Sequence, residues 1–346
     1  MSSPSPEFQL KCLSYLQRLL DEGDFTATYK FALLIALAEL AVERGADDDS
    51  PLVIEIRAVG EKFAELYWKQ ITPYSWDGKT GGVLSQIRAN NAAVTNQLAV
   101  FRAATGVVSL AAARKHPGWE GVISKICQTV RSQPIRYLQN VSGETLQVLY
   151  EIVPAGSITL HPGIAFALRR FQSFVVRLAQ AGWVRHVREN PRNRPLIGEA
   201  GDLEAFMFEQ SRQTLAAARH VLFEAQDGRC FYCGGGVKDG HVDHFIPWVR
   251  YPRDLAENLV LADSRCNLAK SDMLAAPPHI ERWAERNRSS DSSLAGLAAA
   301  GLASDPLAIS AVAKWAYGDA ARIGARLWHS GRTTVAADRY ALMALG

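Results

Sequence analysis

The sequence has no apolar run long enough to cross a bilayer. Its strongest, FALLIALA at residues 31–38, gives way to Glu39, far short of the roughly twenty residues a spanning helix needs. Residues 1–9 are polar, so no targeting segment is expected there and a soluble, cytoplasmic protein is. Cysteine is scarce: the 346 residues hold five, three within one short motif and two, Cys12 and Cys127, isolated. That pattern excludes a disulfide framework and fits a reducing compartment. Charge is nearly balanced; a formal net of +3 permits contact with nucleic acid without requiring it. The sequence has neither an internal repeat nor a long disordered tail. Its apolar content of 48% leaves a globular chain, long enough for two domains or for one with a large extension.

Chemistry-bearing residues crowd between positions 228 and 272, GRCFYCGGGVKDGHVDHFIPWVRYPRDLAENLVLADSRCNLAKSD. Two metal chemistries are interleaved there. Cys230 and Cys233 have the spacing of a zinc knuckle, and Gly234, Gly235 and Gly236 let the backbone turn tightly behind them. Cys266 adds a third thiolate. Three positions before it stands Asp263, where a four-cysteine site would have another thiol. A carboxylate can complete the tetrahedron, and His241 is the other candidate for the fourth ligand. The competing reading makes these cysteines buried packing groups.

The second chemistry centres on Asp243 and His244. Hydrolysing a phosphodiester requires activating water, a weak nucleophile, and expelling a poor alkoxide leaving group. A histidine base answers the first need and a divalent cation the second. Asp243 offers a hard oxygen ligand beside that base. Adjacent strand residues face opposite sides, so the pair needs a bend, which Pro247 favours. Asn267 opens an expected short helix, NLAKSDMLA, from which its amide oxygen can reach the same cation.

These motifs, CxxC, VDHxxPxxxxP, NLVLA and CNxxKSD, resemble the HNH endonucleases, and within them the zinc-stapled branch. The resemblance implies a ββα-metal finger: two strands and a helix around one catalytic cation. It implies Asp243 as metal-binding acid, His244 as general base and Asn258 as the middle asparagine that holds the loop. Asn267 falls on the last metal-binding position, with Lys270 or Arg250 touching phosphate. Mg²⁺ or Mn²⁺ is the implied catalytic ion, and Zn²⁺ the structural one, held by Cys230, Cys233, Cys266 and Asp263. Asp263 departs from the family, whose zinc-stapled members usually carry Cys or His there. One finger carries one active site, so a monomer should nick DNA. Family analogy suggests bacterial antiviral defence, acting on foreign DNA with a possible partner protein of a defence system, and gives no oligomeric state. The phrases TYKFALLIALAELAVE and EKFAELYWKQ are also similar to the region preceding the knuckle in bacterial HNH proteins.

The remaining chain reads mostly as helix. Apolar periodicity predicts a helix over 6–21 and a second, for which Asp24, Thr26 and Thr28 offer caps, to about 44. LVIEI at 52–56 is a short strand or a helix entry. Residues 71–82 form a loop in which Tyr74, Trp76 and Lys79 could meet a nucleic acid, although Trp76 pinning the loop to the core is the preferred reading. Helices are expected over 83–104 and 119–140, with Pro134 breaking the latter. TLQVLYEIV, PAG and SITL suggest a hairpin near 145–160. A long helix is expected over 163–189, and the window 163–194 holds seven arginines against one acid. Arg177, Arg185 and Arg188, with Trp183 and His186 nearby, could line a groove for a polyanion. The alternative is a solvated face neutralised by acids such as Glu199, Asp202 and Glu204. Asp202 caps a predicted helix to about 226. Helices are expected through the C-terminus, where Trp315 and Trp328 suggest no particular site. The expected fold is therefore mainly α with a small α+β part. Residues 1–200 would be a helical regulatory or DNA-binding region, 201–286 the nuclease domain, and 287–346 a C-terminal helical segment.

Overall fold

The structure is a computed structural model. It describes every residue except 1–2, 24–25, 77–80, 89–91, 153–155, 199–201, 209–211, 239, 290–291 and 346, and every described side chain except those of residues 212–214, 292 and 339. The chain divides into two compact units, residues 1–108 with 113–209, and residues 109–112 with 210–346. It is mainly helical, and each sheet among the described residues has two strands. No described helix is long and apolar enough to cross a membrane.

The first unit is built around a helix that is apolar on every side. α1 (Pro6–Glu22) starts on the Ser5 cap and precedes α2 (Tyr29–Arg44), whose residues 29–42 are all buried. A helix without a polar face must be surrounded. Two ionisable groups on it show how charge is accommodated: Glu39 and Glu43 both meet Lys62, at 2.7 and 2.5 Å. Residues 52–56 satisfy both sequence readings in succession, because β1 (Leu52–Glu55) runs directly into α3 (Ile56–Trp68). α4 (Ala93–Thr105), a short α5 (Leu110–Lys115) and α6 (Trp119–Ser132) follow.

The helix expected from residue 83 starts only at Ala93. Residues 84 to 87 are instead non-helical, with the Ser85 amide donating to Asn193 and Ile87 bridging to Ala27. Pro134 does break the next helix: Gln133 leaves helical geometry and the proline opens α7 (Pro134–Tyr137). A small ribbon, β2 (Asn140–Val141) with β3 (Glu144–Thr145), turns through Ser142 and Gly143, both at positive φ.

The hairpin expected near 145–160 is corrected. β4 (Ser157–Leu160) pairs antiparallel with β1, and among the described residues the expected partner stretch returns to it through the Tyr150–Leu160 bridge and the His161 amide on the Leu149 carbonyl. Local β propensity marked the strand but not its partner, which lies about a hundred residues upstream. The expected long helix is interrupted at Phe171, giving α8 (Ile164–Arg170) and α9 (Gln172–Glu189). α10 (Leu203–Phe208) ends the unit, with Asp202 accepting from the Ala205 amide.

The second unit begins with α11 (Arg212–Ala225). Then come β5 (His241–His244) and β6 (Leu259–Ala262), paired antiparallel with His244 opposite Leu259. α12 (Ser264–Lys270) completes a ββα arrangement. The expected helix start at Asn267 is three residues late, because Asp263 accepts from the Arg265 and Cys266 amides and caps the helix there. α13 (Pro277–Arg288), α14 (Ser292–Ala299) and α15 (Pro306–Arg322) follow. The C-terminal segment is not all helix: β7 (Arg326–Ser330) and β8 (Thr333–Ala336) form a hairpin before α16 (Arg339–Met343). Trp328 in β7 is buried, and its backbone bonds to Leu274 and Ala276 tie the hairpin behind the finger.

Candidate metal centre and catalytic finger

The knuckle is made by backbone geometry. The Gly234 amide donates to the Cys230 carbonyl and the Cys230 amide to the Gly235 carbonyl, closing a turn that needs Gly234 at φ +71. Cys230 and Cys233 thereby meet Cys266 on α12 and Asp263 at its cap, all four ligand atoms lying within 4.8 Å of one another. The Cys233 thiol donates to Asp263 Oδ2 at 3.1 Å. Burial pushes the Cys230 and Cys266 thiols up, and the bond to Asp263 adds to the rise at Cys266. Desolvation would raise the Asp263 carboxyl as well, but the Cys266 amide and the three thiols hold it well below the usual carboxylate range.

Three thiols and an ionised carboxylate at this separation suit a tetrahedral zinc ion, whose charge removes the penalty of gathering thiolates. Of the two sequence candidates for fourth ligand, Asp263 joins the cluster; His241 is exposed and does not.

The catalytic candidates lie at the other end of β5, which stops at His244. Asn258 supports the bend beyond it. Its side chain accepts from the Ile246 amide at 2.7 Å and donates to the Ile246 carbonyl at 3.0 Å, while its own carbonyl accepts from Phe245. Asp243 and His244 face different neighbours. Asp243 Oδ2 accepts from the Tyr232 hydroxyl at 2.5 Å and lies 3.0 Å from Lys270 Nζ. The His244 ring lies 5.1 Å from that of Trp248, and its Nε2 sits 2.5 Å from Asp254 Oδ1.

Lys270 is corrected by the structure. Its side chain is 0% exposed, donates to the His244 carbonyl and pairs with Asp243, so it is a buried counter-ion and not an open phosphate contact. Burial lowers its pKa against the pull of Asp243. Tyr232 is itself enclosed, edge-on to both His279 and Trp328, and burial beside Asp243 keeps its hydroxyl protonated. Asn267 is half-buried one turn before Lys270, on the same side of α12. Arg250 is partly exposed and lies 4.0 Å from Asp319.

The basic face of α9 is also revised. Arg177, Arg185 and Arg188 are exposed, but Trp183 is buried with its indole donating to Gln86, and His186 is buried against Phe31. Neither ring lines a surface groove. Arg169 turns inward to the carbonyls of Ala41 and Val42 at the end of α2. Trp76 covers Gly198, so closely that a Cβ there would clash, yet it remains 48% exposed; Lys79 and Glu199 lie outside the described residues.

Sequence reasoning missed two residues at this site. Tyr232 was hidden as filler between two cysteines, and Asp254 as a loop acid. The ten-residue interval from His244 to Asp254 has no meaning until the loop is folded.

Residues 230–273 match the HNH endonuclease family, and residues 9–204 match a domain of unknown function, DUF8808. No curated protein and no solved structure matches the chain.

Proposed function

The chain belongs to the DUF8808 family, and from its pairing with an HNH domain we propose that it is a metal-dependent endonuclease hydrolysing DNA phosphodiesters. A nuclease or nucleic-acid-related activity follows from the HNH domain itself. The finer reading is carried by one observation: the family match falls on a folded ββα unit with His244 at the end of its first strand and a Cys₃Asp cluster at the other.

In this reading His244 removes a proton from water as it attacks phosphorus. Asp243 and Asn267 offer hard oxygen donors, a set that suits a cation retaining water ligands, such as Mg²⁺ or Mn²⁺. When bound, that cation supplies positive charge for the phosphorane and the departing oxygen. Lys270 and Tyr232 orient Asp243, and Asn258 fixes the turn behind His244. Cys230, Cys233, Asp263 and Cys266 hold zinc, stapling a finger too small to rely on its own core.

Residues 1–200 serve as a regulatory or DNA-binding region, with Arg177, Arg185 and Arg188, and Arg250 of the finger, as backbone phosphate contacts. We assign single-strand nicking to the monomer and a role in defence against foreign DNA, in the cytoplasm. Supercoiled plasmid should relax with Mg²⁺ and persist with His244→Ala; equal cutting by both chains would remove His244 from the mechanism.

A second reading has its own observation. Asp243 is already satisfied by an ammonium and a phenol, as it would be in a zinc-stapled module that binds nucleic acid or protein without cutting. DNA binding with no cleavage in Mg²⁺, Mn²⁺ or other divalent ions would establish it.

A further inference from the structure

We propose that Asp254 is the positioning residue of the general base, fixing the tautomer and orientation of His244. The catalytic half of this inference rests on the nuclease reading; the contact itself does not.

Asp254 Oδ1 and His244 Nε2 are 2.5 Å apart. The Asp254 side chain is 4% exposed, whereas that of His244 is 20% exposed. The Nε2 edge therefore faces an enclosed carboxylate, while the His244 side chain as a whole keeps some exposure. An ionised carboxylate can only accept a hydrogen bond. With the carboxylate as acceptor, a neutral ring would hold its proton on Nε2 and keep its lone pair on Nδ1. Trp248, with its ring 5.1 Å away at 58°, limits rotation of the imidazole.

A general base needs a lone pair aimed at the water it deprotonates. An imidazole without a partner divides its proton between two nitrogens and turns about its side-chain bonds. Asp254 removes both freedoms. Its own placement comes from outside the knuckle: Leu255 forms a parallel bridge to Ala303, and the Ala256 amide donates to the Ala303 carbonyl. The segment after α14 therefore sets Asp254, while β5 sets His244. When Nδ1 takes the proton from water, the ring becomes a cation beside Asp254, which stabilises that charge without accepting the proton.

The test uses the full-length chain and four variants. Asp254→Asn keeps the shape but can donate to Nε2, which drives the ring to the wrong tautomer. Asp254→Ala removes the partner, and Asp254→Glu restores the carboxylate on a longer arm. His244→Ala reports the loss of the base. Two readouts are taken: the plasmid-nicking rate at saturating DNA with the KM alongside, and long-range ¹H–¹⁵N spectra of the histidine rings at about pH 8, where a free imidazole is neutral.

The expected result is an Nε2–H signature for His244 in the native chain, shifted to Nδ1–H or a mixture in the Asn and Ala variants. Nicking in those variants should fall by roughly 100-fold or more, with KM little changed, and the Glu variant should recover part of the rate. A native His244 tautomer in the Asn and Ala variants overturns the contact's role, whatever the activity. Asp254→Ala cutting as fast as native or faster overturns the positioning role, the faster case identifying Asp254 as a latch. A native chain that cuts no DNA but shows the Asp254-dependent tautomer shift sinks the nuclease reading and leaves the positioning contact standing.

Discussion

Replacing Asn258 by alanine tests whether the turn after His244 is held by one side chain. The amide group of Asn258 is fully buried and serves the N–H and the C=O of Ile246, at 2.7 and 3.0 Å. Alanine removes both partners and leaves a backbone donor and acceptor buried. Each group left unmade costs about 1–3 kcal/mol, so the local loss is about 2–6 kcal/mol, falling to the lower figure if water enters the vacated space. The Phe245 amide bond to the Asn258 carbonyl does not depend on the side chain and serves as an internal control. Native-state hydrogen exchange reads the effect directly. A loss of about 2 kcal/mol is roughly 30-fold in an equilibrium, so exchange at Ile246 should accelerate by at least that factor while Phe245 changes less. An acceleration under about threefold would refute the argument, because the turn would then be held by something other than this amide.

Three further outcomes follow from the same geometry. Lys270→Met should destabilise the second unit by about 3–5 kcal/mol, since it leaves the Asp243 carboxylate buried with only Tyr232; an unchanged urea midpoint for that unit's proteolytic release would contradict the buried pair. Asp263→Ala should lose zinc to a chelator at concentrations where the native chain keeps it, and His241→Ala should not; equal retention by all three would exclude Asp263 as a ligand. Burial pulls the His279 imidazole below its ordinary 6.5, so the folded state takes up that proton less readily than the unfolded chain. The contribution is full above about pH 6.5 and is lost as pH falls from there toward the folded value. His279→Phe should be less stable near neutrality by roughly 1 kcal/mol, through the lost bond to the His329 carbonyl, and its melting temperature should fall less between about pH 7 and pH 5. Parallel melting curves would show that His279 carries no such linkage.

The sequence revealed the parts governed by local chemistry. α1 and α2 follow from apolar spacing, and the break at Pro134 from a missing amide hydrogen. The Cys₃Asp cluster follows from ligand spacing, with only the choice between Asp263 and His241 left to the fold. What escaped were partnerships across distance. SITL was recognisable as a strand, but its partner β1 is about a hundred residues away in sequence. The resemblance implied Lys270 as a phosphate contact; only the folded finger shows it enclosed against Asp243. The C-terminal hairpin carries β-branched residues around Gly331, yet the alanine-rich helices before it suggested more helix. Trp183 and His186 read as companions of the arginines because they neighbour them in sequence, but on α9 they occupy the opposite, buried side.

Tyr232 stands between the two knuckle cysteines, and Lys270 follows Cys266 by one helical turn, so both side chains gripping Asp243 ride on segments moored at the same anchorage. β5 is braced from elsewhere: it pairs with β6, and α13 clasps the adjoining backbone through Trp283 on the Glu257 carbonyl and Arg286 on that of Leu259. Slackening the anchorage therefore releases both grips together. The acid would be left enclosed without its ammonium and its phenol, so the mooring that orders the knuckle also keeps that carboxylate satisfied, and the two would fail as one.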